Sequence, residues 1–145
     1  MQAIHHRFQY AVSAEKLFAA LTLESQIKEW WTDDCSVPAK VGAQAVFNWK
    51  NYGWSVTAQI VSGKIGRELV WKCLKSNMQN SGAWVGTEIR FKIIPVSAEQ
   101  SELEFSQGPY PESACYEVCR EGWAFFLGKS LKGYLESGQG SPTRN

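Results

Sequence analysis

Residues 112–138 carry apolar side chains at Tyr116, Cys119, Trp123, Phe126, Leu127, Leu131, Tyr134 and Leu135. This is a helical period, with Glu117, Arg120, Lys129, Lys132 and Glu136 on the opposite side. Residues 43–108, in contrast, read as strands. A sheet with one apolar face must cover that face, and this terminal helix is the one element large enough to lie across it. Gly128 and Gly133 interrupt the helix. Each costs about 0.5–1 kcal/mol relative to alanine, which points to a close approach of the sheet or of a ligand.

Upstream, Ile4–Val12 alternates, with Ile4, His6, Phe8 and Tyr10 on one face. Ser13 caps a helix over Ala14–Leu21, and a second short helix spans Ser25–Trp31. Thr32–Val41 reads as loop. Five further strands are expected: Ala43–Trp49, Trp54–Val61, Glu68–Leu74, Trp84–Ile94 and Glu102–Gln107. In the fourth of these, Val85, Thr87, Ile89, Phe91 and Ile93 should face inward, and Pro95 should stop it. Short turns between them favour consecutive antiparallel hairpins. The expected fold is α+β: a six-stranded curved antiparallel sheet wrapped around a long C-terminal helix, with two short helices after the first strand. Residues 1–137 form one domain, and the polar residues 138–145 read as a mobile tail.

The chain has 145 residues and a net charge of +1, so no electrostatic footprint for nucleic acid arises. No run approaches the roughly 18 apolar residues of a membrane span, and nothing near the start resembles a signal peptide. A cytoplasmic protein is expected. Cys35, Cys73, Cys115 and Cys119 then read as reduced, packed thiols. Cys115 and Cys119 share a helix face, but no further Cys/His pair completes a metal site, so no metal and no cofactor are expected.

A curved sheet is wider than a helix of about 10–12 Å diameter. The remaining volume must be filled by large side chains or by a ligand. Seven tryptophans are available for either purpose. An apolar cavity is therefore expected between sheet and helix, lined by Trp31, Phe47, Trp49, Trp71, Phe91, Trp123 and Leu127.

The stretch Ser13-Ala-Glu-Lys-Leu-Phe-Ala-Ala-Leu-Thr22, followed by Ile27-Lys-Glu-Trp-Trp31, resembles the opening of the START-like (SRPBCC, helix-grip) superfamily. Gly122-Trp123, then Leu127 and Leu131 to Leu135-Glu136, is similar to the closing helix of one branch. That branch is related to the C-terminal domain of the activator of heat-shock-protein-90 ATPase. The resemblance covers residues 3–137. It implies the helix-grip fold with a hydrophobic pocket that in other members takes lipids, polyketides or hormones. It also implies a chaperone as an alternative partner, although no segment here resembles the activator's N-terminal chaperone-binding domain.

A minority of the superfamily are cyclases or hydrolases. The acid–base candidates for such chemistry are His6, placed inward by alternation, and the adjacent Asp33 and Asp34. Tyr10, Tyr116 and Thr87 are the hydroxyls expected to reach the cavity. No nucleophile triad, phosphate loop or dinucleotide fingerprint is present. The leading expectation is thus a binder of a small hydrophobic molecule. A co-chaperone-like interaction protein and a cyclase- or hydrolase-type enzyme are the alternatives. The oligomeric state is open, a homodimer included.

Overall fold

Strand β1 (Gln2–Tyr10) keeps the expected alternation: Ile4 and Tyr10 are buried, while Gln2, His5, Arg7 and Gln9 are exposed. The computed structural model describes residues 2–111 and 114–145. After β1 the chain turns into α1 (Ala14–Thr22), where the Ser13 hydroxyl accepts from the Lys16 amide at 3.2 Å. Helix α2 (Glu24–Trp30) follows directly. Then come β2 (Asp34–Ser36), β3 (Gln44–Trp49), β4 (Trp54–Lys64) and β5 (Glu68–Ser76). A short 3₁₀ turn (Met78–Asn80) leads towards β6 (Glu88–Ser97), β7 (Gln100–Tyr110) and the terminal helix.

All strands form one antiparallel sheet in the order β1-β7-β6-β5-β4-β3-β2. It has seven strands, not the expected six. The additional strand, β2, lies inside the segment read as loop and pairs Cys35 with Phe47. Three residues are too few for alternation to register as a period. Strand β6 also differs at both ends. It begins at Glu88, so Val85 sits in the preceding turn and is 51% exposed instead of facing inward. It continues through Pro95, which pairs with Ser101 of β7. Pairing with β5 ends at Lys92, so Pro95 has a sheet neighbour on one side only, where a missing N–H is tolerated.

The terminal helix consists of α3 (Ala114–Phe125), a π-helical turn (Phe126–Ser130) and α4 (Leu131–Ser137). Glu112 and Ser113, where the helical pattern begins in the sequence, lie outside the described residues. At Gly128, in the π turn, an added Cβ would stand 2.8 Å from the Phe8 ring. The glycine thus lets the helix settle on β1, as its position in the sequence suggested. The Tyr10 hydroxyl donates to the Leu127 carbonyl at 2.9 Å, tying the π turn to the same strand. Tyr116 and Lys132 donate to the Ala3 and Gln9 carbonyls, which occupies part of the β1 edge.

Residues 138–145, read as a free tail, lie against the body of the protein. Thr143 pairs with Thr32 in a parallel bridge, and the Ser141 amide donates to the Ser130 hydroxyl at 2.8 Å. The Asn145 side chain donates to Asp33 and Thr32 at 2.7 and 3.0 Å. A Cβ on Gly140 would overlap the Glu29 carbonyl oxygen, so only glycine passes there. The contacts to Thr32 and Asp33 join residues more than a hundred positions apart, which local sequence cannot announce.

Candidate functional site

The interior between sheet and helix is filled by aromatic rings. Trp31, at the end of α2, is the hub: its ring centroid lies 4.6 Å from Phe47, 5.1 Å from Trp49, 6.0 Å from Trp71 and 5.0 Å from Trp123. Phe91 and Phe105 continue the cluster on the β6–β7 side. Each such pair adds about 0.5–1.5 kcal/mol to simple area burial. The space expected there is consequently taken up by the protein's own rings, and two separate apolar clefts open at its margins. Trp31 faces one apolar cleft and Trp71 another, and their stacked rings are the partition between the two.

The first cleft, of about 290 Å³, opens between the β3–β4 hairpin, the Met78–Asn80 turn and α3. Its inner wall is Trp31, Trp49, Trp84 and Trp123, and its rim includes Tyr52, Trp54, Val118 and Phe126. Tyr52 and Trp54 stack at 4.6 Å across the hairpin tip. Gln79 on the cleft and its neighbour Asn80 both have φ of 57°, a left-handed conformation uncommon for residues with a side chain. Asn80 is held in place by the Trp54 indole, which donates to its side-chain oxygen at 3.3 Å. Strained turns of this kind concentrate at ligand clamps.

Behind the wall runs a buried polar chain. The Trp123 indole donates to the Gln107 side chain at 2.8 Å, and the Gln107 amide donates to Thr87 at 3.2 Å. The Thr87 hydroxyl donates to the Trp84 carbonyl at 2.7 Å. Gln107 is fully buried, and this chain satisfies both ends of its amide. It also fixes the orientation of the Trp123 ring and anchors the backbone at Trp84, whose indole donates separately to the Tyr110 hydroxyl at 3.0 Å.

The second cleft, of about 400 Å³, lies between α1, the segment around Val37–Val41 and the β4–β5 hairpin. Its lining is largely aliphatic, with Leu23, Val41 and Ile65 exposed around it and Trp71 at its base.

Of the residues expected to line a cavity, Trp31, Trp49 and Trp123 line the first cleft, and Trp71 lines the second. Phe47, Phe91 and Leu127 border neither; each is wholly buried and serves as packing. Trp84, Met78 and Val118 also line the first cleft, although alternation does not single them out. Trp84 lies not on the expected strand but on a turn that swings its ring over Trp123, centroids 5.8 Å apart. The preceding Ser-Gly pair was the available signal for that turn.

The acid–base candidates do not converge. The His6 ring bonds through Nε2 to the Arg120 carbonyl at 2.8 Å, and Asp33 accepts from Asn145. Asp34 pairs with Lys50 at 3.0 Å. The hydroxyls of Tyr10, Tyr116 and Thr87 are all spent on backbone carbonyls, and none of the three residues lines either cleft. Burial pushes the Cys35 and Cys73 thiols up to about 11, and Cys119 up to about 12. Among the described residues, no group of three or more His, Cys, Asp or Glu side chains is gathered for a metal ion.

No curated protein sequence matches the chain. Solved structures do. A solution structure of the Aha1 dimer from Colwellia psychrerythraea is 31% identical and superposes with a TM-score of 0.83, covering 97% of this chain and all of that one. A protein from Mesorhizobium loti is 19% identical with a TM-score of 0.78, covering 93% of this chain and 97% of its own. An HSP90 activator from Plasmodium falciparum is 19% identical with a TM-score of 0.72, covering 88% and 92%. At 19% identity the last two bear on the fold alone. The family model for activator of Hsp90 ATPase homolog 1-like proteins matches residues 11–136. With nearly the whole chain matched and the helix-grip architecture in place, the protein belongs to the activator of Hsp90 ATPase homolog 1-like family.

Proposed function

We propose that this protein binds a compact hydrophobic molecule in the first cleft, in the cytoplasm. The observation that carries the reading is the cleft's wall of four tryptophans, two of them oriented by indole hydrogen bonds to buried partners, Trp123 to Gln107 and Trp84 to Tyr110. Binding sites for small molecules are mostly apolar and aromatic and run from about 300 to 1,000 Å³. A cleft of about 290 Å³ suits a compact molecule of one to three rings better than a whole lipid. The test is a fluorescence titration with N-phenyl-1-naphthylamine, a neutral dye with one naphthalene and one phenyl group. Saturable 1:1 binding by the native chain, weakened at least tenfold by Val118→Asp at the rim, supports the reading; no saturable binding refutes it.

A second reading is a co-chaperone role at a heat-shock ATPase. Family membership motivates it, as does the second cleft's exposed aliphatic rim, where Ile65 is 80% exposed. On this reading the native chain changes the turnover of a matching Hsp90, and Ile65→Asp abolishes the change. An unaltered ATPase rate removes it. The dimeric Colwellia neighbour adds a homodimer to the proposal, which sedimentation velocity checks directly.

A further inference from the structure

Two thiols stand in the wall between the first cleft and the start of α3. The sulfurs of Cys115 and Cys119 are 3.2 Å apart, and both thiols are free. Cys119 lines the cleft, Cys115 lies one helical turn before it, and both are nearly buried. Polar hydrogens surround them. The Trp84 indole donates to Cys119 Sγ at 3.4 Å and to the Tyr110 hydroxyl at 3.0 Å. That hydroxyl lies 3.1 Å from Cys115 Sγ. Plain packing of two cysteines requires no such partners, whereas donors directed at sulfur stabilise sulfur that carries added negative charge.

Three chemistries use a close thiol pair, and geometry separates them. A disulfide needs Cβ atoms about 3.5–4.5 Å apart, while residues four apart on a helix hold theirs at about 5–6 Å. Zinc takes four protein ligands, or three and water, and the described residues supply no third ligand of the usual kinds. A single atom bridging the two sulfurs does fit. With bonds of about 2.3 Å, a 3.2 Å separation subtends about 90° at that atom. Such an angle belongs to a pyramidal trivalent centre, whose third substituent points away from both sulfurs.

We propose that Cys115 and Cys119 form a dithiol site for a thiophilic trivalent metalloid bearing one apolar substituent, of the organoarsenous acid type, with the substituent seated in the tryptophan-walled cleft. Two As–O bonds break and two As–S bonds form. The two hydroxyl groups leave as water with the two thiol protons, and no oxidation state changes. The seat of the substituent rests on the cleft reading above; the capture by two sulfurs does not.

The experiment treats the full chain with equimolar phenylarsine oxide, which hydrates to phenylarsonous acid, and reads intact mass and tryptophan fluorescence. One adduct per chain is expected, with quenching of Trp84 and Trp123 fluorescence and an unchanged far-UV spectrum. Cys115→Ser and Cys119→Ser should each lose the adduct, whereas Cys35→Ser and Cys73→Ser should keep it. Peptide mapping of the native chain, with the adduct located on residues 115–119, gives the same answer should a variant fail to fold. Absence of an adduct on the native chain, or its location elsewhere, overturns the site. Inorganic arsenite, which has no apolar group, should bind at least tenfold more weakly; equal affinity overturns the seat of the substituent. N-phenyl-1-naphthylamine reads the cleft without arsenic, so its failure beside a retained adduct counts against the cleft and in favour of the dithiol.

Discussion

At the scale of single residues, the interior is decided by where each tryptophan directs its ring. Trp31 and Trp71 stack between the two clefts, so shortening either side chain removes the partition. Trp71→Ala is expected to cost about 3–5 kcal/mol in urea unfolding, the range for loss of a large buried aromatic. In the folded fraction it should admit a longer apolar probe than the native chain does. Gln107 acts differently: it contributes no wall surface but holds Trp123 and Thr87. Gln107→Ala strands the buried Trp123 indole N–H and removes the donor to the Thr87 oxygen; it should cost about 1–3 kcal/mol, with a larger loss of dye affinity than its distance from the cleft would suggest. Aromatic content and alternation made Trp31, Trp49 and Trp123 legible as cleft residues. The same signals pointed equally to Phe47, Phe91 and Leu127, because period tells which face a side chain is on and not whether a neighbour already covers it.

At the scale of elements, the terminal helix and the tail carry the features that the sequence showed least. Alternation, the Ser13 cap and the hairpin turns made β1, α1 and most of the sheet readable. The π turn and the docked tail depend on long-range partners. Gly128→Ala would drive a methyl into the Phe8 ring and should lower the melting temperature, while Gly122→Ala, with open space around it, should not. The tail is expected to be pH-sensitive. Hydrogen bonds from Asn145 hold the Asp33 carboxyl below its ordinary range. A carboxylate shifted down on folding stabilises the folded state above its unfolded value of about 3.9, and that contribution disappears as pH falls through the lower folded value. Acidification below about pH 4 should therefore release residues 141–145. Hydrogen exchange of the Thr143 amide, which donates to the Trp31 carbonyl, would report the release, and Asp33→Asn should flatten the dependence.

At the scale of the whole molecule, a curved seven-stranded sheet closes on a terminal helix, and most of the space between them is occupied by the protein's own rings. What remains open is at the margins: one aromatic cleft and one aliphatic cleft, back to back. The sequence carried the architecture because periodicity, caps and turns are local. It could not carry the division of the interior, since that depends on how rings from α2, β3, β5 and α3 meet in three dimensions. The two clefts suit separate proposed tasks, small-molecule binding at the tryptophan wall and protein contact at the Ile65 rim. The most direct measurement is the N-phenyl-1-naphthylamine titration of the native chain beside Val118→Asp and Ile65→Asp. The account expects saturable binding that Val118→Asp weakens at least tenfold and Ile65→Asp leaves unchanged. Binding that is absent, or that responds to Ile65→Asp and not to Val118→Asp, would contradict it.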